Sequence, residues 1–141
     1  MKKLILFIPI ALLALYLTSC DDDPVDPVFE YHAHIHQPDN SDKHVGDTMH
    51  IHVDFESMTD MTVHHVNVRI YKVVDSTEIY NAPADAHVHA TSGKYEWHDD
   101  FILSNTNGVM QHTDWILEAK VWGHEEDEEL ETKTVQFHVH P

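Results

Sequence analysis

A chain of 141 residues with 25 acidic against 8 basic side chains has a formal charge of −17. That balance excludes charge-driven binding to nucleic acid or anionic lipid and favours cations. The single cysteine excludes an internal disulfide and any multi-cysteine zinc or cluster site, whereas 15 histidines supply abundant imidazole.

Met1-Lys2-Lys3, the apolar run Leu4 to Leu17 and a small-residue ending predict a secretory signal over residues 1–19. The run falls short of the roughly 20 residues of a membrane-spanning helix. Its ending, Leu17-Thr18-Ser19-Cys20, resembles the lipobox of bacterial lipoproteins, which implies lipidation of Cys20. Residues 20–28, with Asp21-Asp22-Asp23-Pro24 and Pro27, read as an acidic extended tether. An acidic run at this place resembles the surface-export signal of some Gram-negative lipoproteins, implying an outer-membrane or cell-surface location. Loss of Lys2 and Lys3 with the signal would leave six basic against 25 acidic residues, or −19.

Residues 29–141 suit one domain. Strands are expected at Phe29 to His36, Thr48 to Glu56, Thr62 to Lys72 and Thr77 to Tyr80, then at Ala86 to Ala90, Lys94 to Leu103, Thr113 to Gly123 and Thr132 to His140. Turn residues separate them: Gln37 to Gly46, Asn81-Ala82-Pro83, Thr91-Ser92-Gly93, Asn105 to Gly108 and the acidic hairpin loop His124 to Glu129. No helix is expected. Seven or eight short strands predict an all-β, immunoglobulin-like β-sandwich. The hairpin Asp114-Trp115-x-Leu117-x-Ala119-x-Val121, returning through Val135-x-Phe137-x-Val139, resembles the last strand pair of such domains. Trp115 stands where a tyrosine is usual.

One pattern recurs. In Met49-His50-Ile51-His52-Val53-Asp54-Phe55, successive side chains point to opposite faces, so the apolar set enters the core while the histidines face outward. His32, His34 and His36, then His87 and His89, then His138 and His140, repeat the arrangement. If the first, second and fifth strands adjoin, His32, His34, His36, His50, His52, His87, His89 and His98 share one outer surface. Facing side chains about 4.5–5.5 Å apart can converge on one ion. Imidazoles suit zinc, copper, nickel or iron, and Asp54, Glu56, Asp99 and Asp100 are candidates to complete or orient the shell. Acid should protonate the histidines near pH 6.5 and eject such an ion.

Secondary features compete with simpler readings. Met58, Met61, His64 and His65 could form a soft copper(I) cluster, although methionines near a strand end suit a core. Glu125 to Glu129 could collect calcium, although a charged hairpin is ordinarily just solvated. Among Trp97, Trp115 and Trp122, Trp122 best suits glycan stacking because it points away from the core.

The lipobox, acidic tether and His-rich sandwich together resemble a family of small bacterial lipoproteins with immunoglobulin-like domains, a family that implies no established activity. His32-Ala33-His34 is similar to the start of periplasmic copper-carrier sandwiches, but those begin at the ligand histidine, whereas a tether precedes it here. Gly46-x-x-x-His50-x-His52-x-x-x-Glu56 partly resembles the cupin metal motif, with a short glycine spacing and no second motif. Three functions follow: an envelope lipoprotein that captures, buffers or delivers zinc, copper or nickel; an adhesion or glycan-binding module with incidental histidines; and a metal-dependent hydrolase. An envelope protein or a second copy sharing an ion is a candidate partner.

Overall fold

The computed structural model describes residues 30–58, 61–124 and 130–141. The expected signal, Cys20, the tether, Phe29 and the acidic run 125–129 lie outside them. Among the described residues there are nine strands: β1 (Tyr31–Gln37), β2 (Lys43–His44), β3 (Thr48–Ser57), β4 (Val63–Lys72), β5 (Glu78–Ala82), β6 (His87–Ala90), β7 (Lys94–Ile102), β8 (Thr113–Trp122) and β9 (Glu131–His140). The expectation of no helix meets one exception, a three-residue 3-10 turn at Asn105–Asn107, which Ser104 caps and Gly108 ends at a φ of 85°.

Alternation in the sequence produces the core. Met49, Ile51, Val53 and Phe55 of β3 point inward, as do Val66, Val68 and Ile70 of β4, and Trp115, Leu117, Ala119 and Val121 of β8. Phe137 and Val139 of β9 and Tyr31 and Ala33 of β1 complete the layer between the sheets. Fully burying one such aliphatic or aromatic side chain contributes about 1.5–3 kcal/mol. A one-residue slip of β3 would exchange Ile51 and Val53 for His50 and His52, so burial also fixes the face on which the histidines stand.

The strands form two sheets, one in the order β1-β3-β7 and the other β2-β9-β8-β4-β5, with β6 also on β4. This is an immunoglobulin-like β-sandwich: the first, second and fifth framework strands oppose the third, sixth and seventh. The fourth, β5, lies beside β4 instead of joining the three-stranded sheet.

Two expectations need correction. The segment Lys43–His44 is not simply loop, because it runs parallel to β9 with His44 beside His140. More consequentially, the partner of β3 on its far side is β7 and not the segment around His87 and His89. Nine residue pairs, from Thr48↔Ile102 to Glu56↔Lys94, join β3 to β7. The four-residue β6 cannot match that ladder, and it crosses to β4 instead. His87 and His89 therefore belong to the six-stranded sheet.

Candidate metal centre

The expected single histidine surface resolves into three groups. On the three-stranded sheet, His36, His52 and Asp54 have ligand atoms within 4.8 Å of one another. The His36 Nε2–H donates to Asp54 Oδ2 at 2.9 Å, and His52 Nε2 lies 3.2 Å from Asp54 Oδ1. Burial draws the Asp54 carboxyl upward, but the hydrogen bond from His36 and the His36 and His52 charges outweigh it and hold the group below the usual carboxylate range. His98 stacks on His52 with ring centroids 4.1 Å apart.

Other candidates on this sheet are committed elsewhere. Carboxylates occupy both nitrogens of His32, Glu131 at 2.6 Å and Glu30 at 3.1 Å. His34 is exposed and belongs to none of the three-residue ligand groups. The His50 Nδ1–H donates to Asp100. Glu56 accepts from Lys94 and Asp99 from the Tyr80 hydroxyl, so neither completes a shell around the histidines. The cupin-like spacing accordingly does not gather His50, His52 and Glu56.

His138 and His140 of β9 form a second group with His112. The third and densest group comprises His64, His65, His87, His89 and His124, at one end of β4, β6 and β8. Two overlapping triads have ligand atoms within 4.8 Å: His64, His87 and His89, and His65, His87 and His124. Of these five, His87 and His89 belonged to the expected histidine face, His64 and His65 were expected only in a copper(I) cluster with Met58 and Met61, and His124 was not expected as a ligand.

Local irregularity assembles the group. Val63 and Val66 are both fully buried although three residues apart, so strict alternation breaks across His64 and His65. A regular strand would send those two side chains to opposite faces. Opposite them, Val63 pairs with Ala90 while His65 pairs with His87, which leaves an extra residue on β6. His89 sits within this bulge at a φ of 49°, a left-handed conformation that costs a non-glycine residue about 1–3 kcal/mol. The bulge brings the His87 and His89 ring centroids to 3.9 Å. Across the cluster, His64 lies 5.1 Å from His124 and 5.5 Å from His89, and His65 lies 4.6 Å from His87.

Hydrogen bonding selects the donor atoms. The His65 Nδ1–H donates to the Gly123 carbonyl at 2.9 Å, which leaves Nε2 as the lone-pair nitrogen. Such a bond to the far nitrogen is the usual way a ligand histidine is oriented. Trp122 stacks on the same ring at 5.2 Å with only 7° between planes. The Nε2 of His87 is buried and has no hydrogen-bond partner. Burial and then the neighbouring imidazoles hold His87 below the ordinary histidine range, so its neutral, ligating form persists to lower pH.

These residues fit a transition-metal ion. Metal–nitrogen bonds near 2.0–2.1 Å in a tetrahedral shell set ligand nitrogens about 3.3 Å apart. The observed 4.8 Å limit leaves an inward shift of about 1 Å or less for each ring, within reach of small side-chain rotations. An ion would also give a partner to the His87 Nε2, which otherwise has none. An all-imidazole donor set suits zinc, copper(II) or nickel(II).

The rival features fare differently. Met58 and Met61 are exposed, contrary to the core reading. Trp115 is buried, the Trp97 N–H donates to the Tyr80 hydroxyl, and His65 covers one face of Trp122.

No family model and no curated protein matches the chain. Among solved structures, it is similar to the CARDB domain of a Pyrococcus furiosus protein in solution, at 14% identity and TM-score 0.47 over 79% of this chain and 96% of that one. A crystal structure of that domain in complex with di-metal ions matches at 13% identity and TM-score 0.44, over 82% and 96%. A Niemann-Pick type C2 protein from the Japanese carpenter ant matches at 9% identity and TM-score 0.47, over 80% and 93%. These likenesses concern the course of the chain, and the metal chemistry rests on this chain's own side chains.

The bulge gives a specific expectation. His89→Gly removes a ligand while relieving the left-handed backbone, so the metal-free melting stability should stay within about 1 kcal/mol of the parent. Zinc affinity should nevertheless fall. Unchanged zinc affinity, measured by calorimetry, would remove His89 from the site.

Proposed function

We propose that this protein binds a divalent transition-metal ion at the five-histidine cluster and serves to capture, buffer or pass on zinc, copper or nickel at a bacterial cell envelope. The observation that carries the reading is the buried, unpartnered Nε2 of His87 among four further imidazoles. A solvated polar surface has no use for an orphaned nitrogen in that position, whereas a metal ligand needs a neutral nitrogen with a free lone pair. The strained His89 supports the same reading, because backbone outliers concentrate where function requires them.

The envelope location is part of the proposal and rests on the sequence: the apolar segment ending at Cys20, and the acidic tether that follows it. A lipid attached at Cys20 would hold the domain at the membrane while the chain, at −19 once Lys2 and Lys3 leave with the signal, attracts cations from its surroundings. No observation among the described residues favours the hydrolase or the adhesion reading over metal binding.

Zinc, copper(II) and nickel(II) titrations of the chelator-treated protein, by calorimetry and melting shift, test the proposal. Tight, stoichiometric binding of at least one of these ions is expected, and His65→Ala with His87→Ala should remove the ion held by this cluster. Binding should weaken as the pH falls below about 6.5, where protons compete for imidazole. Weak binding without defined stoichiometry, or tight binding untouched by the double substitution, contradicts the proposal.

A further inference from the structure

The outer face of the six-stranded sheet carries a second set of imidazoles at the opposite end of β8. In the β8–β9 ladder, Asp114 pairs with His138 and Thr113 with Val139. His140 lies two residues further along β9, and His112 immediately precedes β8. Their ligand nitrogens all fall within 4.8 Å of one another. The His138 and His140 ring centroids are 4.6 Å apart, and His112 lies 6.4 and 6.3 Å from them.

This group cannot share an ion with the five-histidine cluster. Ten residues of β8, Thr113–Trp122, intervene, and a rise of about 3.3 Å per residue makes that span roughly 30 Å. Two features independent of proximity mark it as a built arrangement. The His138 Nδ1–H donates to Asp114 Oδ1 at 2.8 Å, committing the ring to the tautomer with its lone pair on Nε2. His112 adopts a left-handed φ of 55°. Of the three non-glycine residues with positive φ among those described, two are His89 and His112, one in each histidine group. The strain that helps bring His89 beside His87 in one group thus has its counterpart in the other.

We propose that His112, His138 and His140 hold a second divalent transition-metal ion, with Asp114 as the positioning carboxylate for His138. Three imidazoles leave a four-coordinate ion one position for water or an outside donor. His44 on the neighbouring β2 stands beside the group, its ring centroid 5.7 Å from that of His140, but is not one of the three whose ligand atoms converge. Three neutral ligands leave the ion's full double charge, and acidic groups stand close by. Asp42 lies 3.4 Å from His140 Nε2, and Asp114 contacts His138. The two ions would differ in setting, one in a dense five-imidazole group and the other in a more open three-imidazole group.

The test uses the full chain carrying His65→Ala and His87→Ala, with zinc as the probe and ring-nitrogen NMR as the readout. The signals of His112, His138 and His140 should move together and reach one shared equivalence point. In the same background, Asp114→Ala should weaken that zinc about 10–100-fold. Asp114→Asn, which keeps an acceptor for the His138 N–H, should recover part of the loss, a rescue that a merely structural role would not give. Rings that do not respond, that respond without a common equivalence point, or an Asp114→Ala chain with parental affinity would overturn the inference. Because the first cluster is already removed, failure here leaves the five-histidine reading intact. Conversely, a response here stands even if that cluster takes no metal in the parent chain.

Discussion

A neutral imidazole nitrogen buried without a hydrogen bond is costly, and the position of His87 makes that cost the central constraint on this site. Four more histidines surround it: a break in alternation on β4 places His64 and His65, a bulge on β6 places His89, and His124 follows the end of β8. Each irregularity carries its own penalty in lost ladder pairing or strained backbone. A fold seeking stability alone would have kept the regular strand and solvated its polar face. An ion reverses the balance, because it binds the lone pairs that the packing leaves unsatisfied. The same physics explains why Trp122 and the Gly123 carbonyl fix the His65 ring: a ligand already oriented loses less freedom on binding.

The sheet that organises the core also divides the histidines. β3 places His50 and His52 outward because Ile51 and Val53 must be inward, and β9 does likewise with His138 and His140 around Val139. Outward direction alone does not create a site, however. His32 is held between Glu30 and Glu131, and His50 leans on Asp100. The His32–Glu30 and His50–Asp100 contacts are exposed and contribute little, about 0–1 kcal/mol each, while the His32–Glu131 contact is partly buried. What distinguishes the metal candidates is convergence of several lone pairs, which depends on elements far apart in the chain.

That distinction also marks how much could be read before the structure. The sandwich, its inward residues and the outward phase of the His-x-His pairs follow from period-two alternation and were legible. The placement of His87 and His89 was not, because the turn at Thr91-Ser92-Gly93 gives no sign that the chain changes sheets there. Competition between a four-residue and a nine-residue partner for β3 settles it, and that is a tertiary matter. His64 and His65 were visible as adjacent histidines between Val63 and Val66, a spacing that regular alternation cannot satisfy and that signals a local break. His112, His124 and His44 lie at strand ends or in a two-residue strand, where periodicity carries no information. Only pairing across β2, β8 and β9 brings His112 and His44 to the final strand.

The most direct measurement is an anomalous-scattering map from crystals of the chain grown with zinc, recorded at the zinc absorption edge. A strong peak is expected, bonded to His87 and to at least two of His64, His65, His89 and His124, with metal–nitrogen distances near 2.0–2.1 Å. A fully zinc-equilibrated crystal with no peak among those rings, while zinc decorates only isolated surface histidines, would contradict metal binding at the five-histidine cluster.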